Sequence, residues 1–162
     1  MIELGFSVLT ENERVYKNFL EEWFLEVQKV LKSKKGLLNK ERLKAFEMSA
    51  VFVPKKQIKK LNKEFRAKNK ETDVLSFDGD GMVSLGELIF CMEVIKDKAK
   101  SAKLPIKYYL AMLMTHGILH LFGYDHELNE AEELKMFKLQ DEIMRKVASK
   151  LAPNYKTSFD IL

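Results

Sequence analysis

Cysteine is nearly absent: Cys91 is the one thiol, so no internal disulfide can form, which fits a reducing cytoplasm. Proline and glycine are sparse, at three and seven residues. No Pro/Gly/Ser-rich linker, internal repeat or low-complexity tract breaks the chain, so a single domain over residues 1–162 is expected. No apolar run approaches the roughly 18 to 20 residues of a membrane span. The opening stretch MIELGFSVLTENERVYKNF lacks a basic start and turns acidic where a secretion signal would be greasy, so a cytoplasmic protein without membrane association is expected. Histidine is also rare, and its three occurrences are grouped.

What is present is ordinary globular composition. Of 162 residues, 46% are apolar and 32% charged, enough for one well-buried domain and against wholesale disorder. The net charge of +4 is mild, but its distribution is uneven. Lys55, Lys56, Lys59, Lys60, Lys63, Arg66, Lys68 and Lys70 fall in one stretch with Glu64 as its only acid. On charge alone this reads as a solvated helix face; it also suits a surface on which a phosphodiester backbone sits.

Periodicity predicts a mixture of strands and helices. Residues 2–9 alternate like a strand. Thr10 and Glu13 form a capping box ahead of Val15, Phe19, Trp23, Val27 and Val30, predicting one helix to about Ser33. Met48 to Val53 reads as a strand closed by Pro54, and Ile58, Leu61 and Phe65 give helical spacing from Lys55 to about Arg66. Asp73–Phe77 and Val83–Phe90 read as two arms of a hairpin around Asp78-Gly79-Asp80-Gly81. Helices are predicted over about 91–102, 105–122 and 129–150, with Pro105 in the first turn of the middle one and Gly123 at its C-terminal cap. The expected architecture is α/β (α+β): a small mixed sheet of about four strands packed with five to six helices. Strand order is not legible. Trp23 and Phe19 are assigned to the core, as is Phe77; Tyr124 is left open between burial and stacking on a base.

The segment Thr115–Glu127, THGILHLFGYDHE, holds all three histidines. His116 and His120 lie four apart, so on a helix they share a face with about 6 Å of axial rise between them. Imidazoles so placed can converge on one ion at the zinc–nitrogen distance of about 2.0–2.1 Å. A sharp turn at Gly123 can return His126 as a third ligand. Three nitrogens and no cysteine leave a coordination position open, the pattern of a catalytic rather than a structural site. One zinc ion is expected, although imidazole also suits nickel, copper and iron. The spacing H-x-x-x-H-x-x-G-x-x-H equals that of metzincin proteases, except that Gly117 stands where those enzymes carry their general-base Glu. Without that carboxylate, peptide hydrolysis lacks its proton acceptor, whereas hydrolysis of another bond stays open. Asp125 is a possible substitute base or a partner that orients a histidine. Ser76 and Cys91 have no histidine free to activate them.

HGILHLFGYDH resembles the H-G-x-L-H-L-x-G-Y-D-H signature of the YbeY family, bacterial rRNA maturation factors regarded as metal-dependent single-strand endoribonucleases. Leu61-Asn62, Arg66 and Thr72-Asp73-Val74-Leu75-Ser76-Phe77 resemble that family's L-N-x-x-[FY]-R and T-D-V-L-S-F, and Leu85-Gly86-Glu87-Leu88-Ile89 resembles its L-G-D-I segment. The likeness spans roughly residues 48 to 127. It implies that His116, His120 and His126 are metal ligands and that Arg66 is a functional arginine gripping phosphate, in place of one more solvated cation. Two positions depart from the pattern: Asp78 replaces a usual Pro, and Glu87 replaces Asp, moving a carboxylate by about 1.5 Å. The general base is not identified.

The resemblance implies a zinc-dependent endoribonuclease acting on single-stranded RNA in 16S rRNA 3′-end maturation and ribosome quality control, with small-subunit rRNA and the ribosome as partners. Either water activated by the metal or the RNA 2′-hydroxyl attacks phosphorus, and product termini distinguish the two. A non-catalytic metal-containing assembly factor is the alternative reading, and a metzincin-like protease a third.

Overall fold

The computed structural model describes residues 1–7 and 10–154. Strand β1 (Glu3–Ser7) begins the chain, and the last two residues of the strand expected over 2–9 lie outside the described residues. The Thr10 N–H donates to Glu13 Oε2 at 2.8 Å, as the capping box requires. The helix that follows is divided into α1 (Glu11–Arg14) and α2 (Lys17–Ser33). The break at Val15 and Tyr16 leaves Val15 68% exposed, while Phe19, Trp23, Val27 and Leu31 are buried. The buried stripe therefore extends back to the half-buried Tyr16, not to Val15.

A connection containing a short 3-10 turn (Lys40–Lys44) leads to β2 (Glu47–Phe52), and Pro54 then caps α3 (Lys55–Arg66). The hairpin is formed by β3 (Val74–Asp78) and β4 (Ser84–Phe90). Asp80 Oδ1 holds its turn by accepting the N–H groups of Met82, Val83 and Ser84. Helices α4 (Met92–Ser101), α5 (Ile106–Leu121) and α6 (Glu130–Leu151) complete the fold. Asn129 caps α6 through Oδ1, which accepts the Glu132 N–H at 3.0 Å.

The sheet is mixed, in the order β1-β2-β4-β3. Strands β1 and β2 are parallel, as are β2 and β4, whereas β3 runs antiparallel to β4 with Ser76 opposite Leu88. Strand β3 is thus an edge strand. One face of the sheet packs on α2, α5 and α6 around Trp23, Phe52, Phe90, Met114 and Ile118. The other face holds a smaller cluster of Val53, Ile58, Leu75, Ile89, Cys91 and Val94 under α3 and α4. Helix α5 lies at the centre, touching α2, α4, α6, β3 and β4. Its apolar residues surround the helix instead of forming one stripe, as a helix packed on several sides requires. Among the described residues no helix is long and apolar enough to cross a membrane.

Candidate metal centre

His116 and His120 project from successive turns of α5, and their Nε2 atoms approach to 3.0 Å. The helix then ends in a Schellman arrangement: the Gly123 N–H donates to the His120 carbonyl at 2.9 Å and the Tyr124 N–H to the Leu119 carbonyl at 3.1 Å. Gly123 has φ of 93°, a backbone conformation that favours glycine, and a Cβ there would sit 2.4 Å from Asn39 Nδ2 and push that amide aside. The turn brings His126 back, and one nitrogen from each of the three rings lies within 4.8 Å of the others.

This cluster can hold a metal ion. Nitrogens bound to one tetrahedral zinc sit roughly 3.3 Å apart, close to the His116–His120 separation. His126 Nδ1 is buried with no hydrogen-bond partner among the described residues, an unmet capacity that suits a cation within the cluster. Burial lowers the pKa of His116, and burial followed by the neighbouring imidazoles pushes His120 down to about 4. Neutral imidazole is the form that ligates a metal.

The surroundings fix the rings. Gln140 of α6 places Oε1 2.8 Å from His116 Nδ1. With the amide oxygen facing the ring, Nδ1 carries the hydrogen and Nε2 is left with its lone pair toward His120. Phe137, one turn earlier, lies 6.2 Å from the His116 ring and 6.0 Å from that of His126. Behind α5, Trp23 Nε1 donates to Thr115 Oγ1 at 2.9 Å. The α2–β2 connection braces the turn: Asn39 Nδ2 donates to the Phe122 carbonyl, Arg42 Nη1 to the Leu121 carbonyl, and the Leu38 N–H to the Tyr124 hydroxyl. Sequence reasoning missed Gln140, Phe137 and these bracing residues, because no local spacing links them to the histidines.

The histidines floor a cleft of about 470 Å³ whose opposite wall is the end of α3, the loop after it and the start of β3. Arg66, Lys68 and Lys70 line that wall with Asn62, Asp73 and Ser76. Arg66 reaches the open edge of β3, donating from Nη2 to the Ser76 carbonyl at 2.7 Å, and its guanidinium lies 5.8 Å from the Phe77 ring. Asn62 is buried and donates from Nδ2 to the Lys70 carbonyl, which shapes the loop carrying the lysines. Asp73 accepts from Lys98 Nζ and the Tyr109 hydroxyl, joining β3 to α4 and α5; burial, then this carboxylate, raises the Tyr109 pKa.

The other sequence candidates separate clearly. Asp125 lines the cleft but accepts the Glu127 N–H at 2.8 Å, stabilising the histidine turn. Glu87 shares its strand face with Ile89, toward α3, and does not line the cleft. Tyr124 is buried and unavailable for stacking. Cys91 is fully buried, and burial raises its thiol pKa, so it is no nucleophile. A Cβ on Gly117 would meet Leu88 Cδ2 at 2.6 Å, and Leu88 has no exposed surface into which it could swing. Any side chain at this position would therefore have to displace the buried Leu88.

Comparison with known proteins shows the chain's family. The family described as endoribonuclease YbeY matches residues 7–148. The chain belongs to the YbeY family. An endoribonuclease YbeY of Bdellovibrio bacteriovorus is 43% identical over 151 residues, covering 89% of this chain and 99% of the relative. One from a Sulfurihydrogenibium species is 37% identical over 145 residues, covering 86% and 92%. The solution structure of a Thermotoga maritima protein shares the fold, with a TM-score of 0.62 and 24% identity over 94% of this chain and 93% of the other. The YbeY match spans both walls of the cleft, the cationic one as well as the histidine one.

Proposed function

We propose that this chain is a zinc-dependent endoribonuclease that cuts single-stranded RNA, with His116, His120 and His126 as the metal ligands. The observation that carries the reading is the juxtaposition of three imidazole nitrogens within 4.8 Å with Arg66, Lys68 and Lys70 across one cleft. Family membership supports it, because the relatives are named endoribonucleases. Three nitrogen ligands without thiolates favour zinc and leave a position for substrate. Bound there, the ion supplies a Lewis acid that polarises a phosphate oxygen and lowers the pKa of water.

This chain's own groups do the rest. Arg66, with one N–H held by the Ser76 carbonyl, turns its remaining donors to a phosphate and stabilises charge developing on its oxygens. Lys68 and Lys70 attract and hold the backbone on either side. Gln140 keeps His116 in the tautomer that presents Nε2. The absence of a carboxylate at Gly117 favours a phosphodiester over a peptide bond, since a phosphate can be cut by the neighbouring 2′-hydroxyl without a protein base beside the metal. In the cell the reading extends to the cytoplasm, to maturation of the 16S rRNA 3′ end and ribosome quality control, with small-subunit rRNA and the ribosome as partners.

The test is metal content of the wild type beside His120→Ala, each incubated with labelled single-stranded RNA with and without chelator. One zinc per wild-type chain, lost in the variant together with chelator-sensitive cleavage, is the expected result. Stoichiometric zinc with no cleavage would instead favour a non-catalytic assembly factor.

A further inference from the structure

Helix α3 carries an aromatic ring that the fold does not use. Its apolar positions Ile58, Leu61 and Phe65 follow one helical face, but burial fades along it: Ile58 is fully buried, Leu61 half-buried and Phe65 57% exposed. The last turn of the helix lies against the edge strand β3, through Phe65 on Phe77 and Arg66 on the Ser76 carbonyl. Phe65 meets Phe77 in a T-shaped contact, ring centroids 5.2 Å apart and planes at 76°. Such a contact uses at most one face of the Phe65 ring.

The surroundings of this ring narrow what can cover it. Lys63, Glu64, Arg66, Ala67 and Lys68 around it are all exposed, and three of the five are cations. A single ring in a charged surface is too small a patch for a stable protein interface. A second copy of this chain would set one basic face against another. A polyanion with flat apolar groups at regular intervals meets both requirements: phosphates satisfy the cations, and one base covers the ring. Arg66, the next residue, already reaches from this helix into the cleft.

We propose that Phe65 is a stacking platform for a nucleobase of single-stranded RNA, next to the phosphate held by Arg66. The inference rests on the reading of the cleft as an RNA-cutting site and adds a base-contacting position outside it. The platform accepts any base, since every base has a flat face, so it contributes affinity and strand register more than sequence choice.

The experiment compares wild type, Phe65→Ala and Phe65→Trp binding a labelled hexa-adenylate and the same ribose-phosphate backbone without bases. Strand integrity is checked on a gel from the same samples. Phe65→Ala is expected to bind hexa-adenylate roughly tenfold more weakly, with little change for the baseless backbone. Phe65→Trp is expected to retain affinity and to show quenching by hexa-adenylate, read against the single buried Trp23. Equal binding of hexa-adenylate by wild type and Phe65→Ala overturns the platform and leaves the nuclease reading intact. An equal loss on both ligands also overturns it, since the ring would then act through the helix. A wild type that binds neither ligand overturns the platform together with the nuclease reading. Self-association abolished by Phe65→Ala, with RNA binding unchanged, would assign the ring to a second copy instead.

Discussion

On one wall of the cleft, His116 and His120 ride on a helix that the sheet and three other helices enclose. On the other wall, Arg66, Lys68 and Lys70 stand exposed on the last turn of α3 and the loop behind it. The histidine wall is determined many times over: Gln140 holds one ring, a glycine cap returns the third, and Asn39, Arg42 and Leu38 brace the turn. The cationic wall is held by a few bonds, chiefly those from Asn62 and Arg66 to backbone carbonyls. Across the mouth of the cleft Lys68 pairs with Glu127 at 3.9 Å, an exposed pair that contributes little in water, while at its base Asp73 ties the cationic wall to Tyr109 of α5. Under the proposed function, the difference follows from what each wall would do. Ligands for one ion must keep their positions without substrate, whereas cations for a flexible polyanion need reach and hydration more than rigidity.

The sharpest way to separate the walls is to remove a ligand. His120→Ala is expected to lose stoichiometric zinc and at least a hundredfold of cleavage, and the melting temperature of the wild type should rise when zinc is added while that of the variant does not. Metal analysis with a melting curve checks this; a variant that keeps its zinc would take His120 out of the site. On the opposite wall, Arg66→Ala is expected to lower the cleavage rate about a hundredfold with metal content unchanged. Its stability should fall by about 1 kcal/mol at most, because the exposed side chain gives up one hydrogen bond to the Ser76 carbonyl. If zinc falls together with rate in that variant, the walls are not independent.

A subtler break is Gln140→Leu, which removes the acceptor at His116 Nδ1 while keeping the volume. Zinc affinity, measured against a competing chelator, is expected to fall about tenfold, with RNA binding unchanged at saturating metal. Unchanged zinc affinity would reduce Gln140 to packing. The smallest effect belongs to the rim: Lys70→Ala should weaken RNA binding a few-fold and lower the slope of log affinity against log salt by about 0.7, the value for one phosphate contact on a single strand. An unchanged slope would place Lys70 outside the strand's path.

Legibility in the sequence followed distance along the chain. The histidine cluster could be read because four-residue spacing, a glycine stop and a third histidine all lie within one short segment. Gln140 and Asn39 could not, since each meets the histidine region from a separate element and neither belongs to a periodic pattern. Phe65 shows a different limit. Helical spacing correctly assigned it to the face shared with Ile58, but it could not say that burial along that face fades over the edge strand β3. Val15 fails in a related way, because the break before α2 turns it outward.

By itself, then, the sequence determined the elements that local chemistry controls: the two faces of α3, the hairpin around Asp80, the spacing of the three clustered histidines and the missing carboxylate at Gly117. Only the tertiary structure decided that β2 lies between β1 and β4, that β3 is left at an open edge, and that this edge faces the histidines across a cleft. Periodicity records which face of an element is apolar. Which elements then share that apolar surface depends on how several of them can be buried together, and no single segment carries that information.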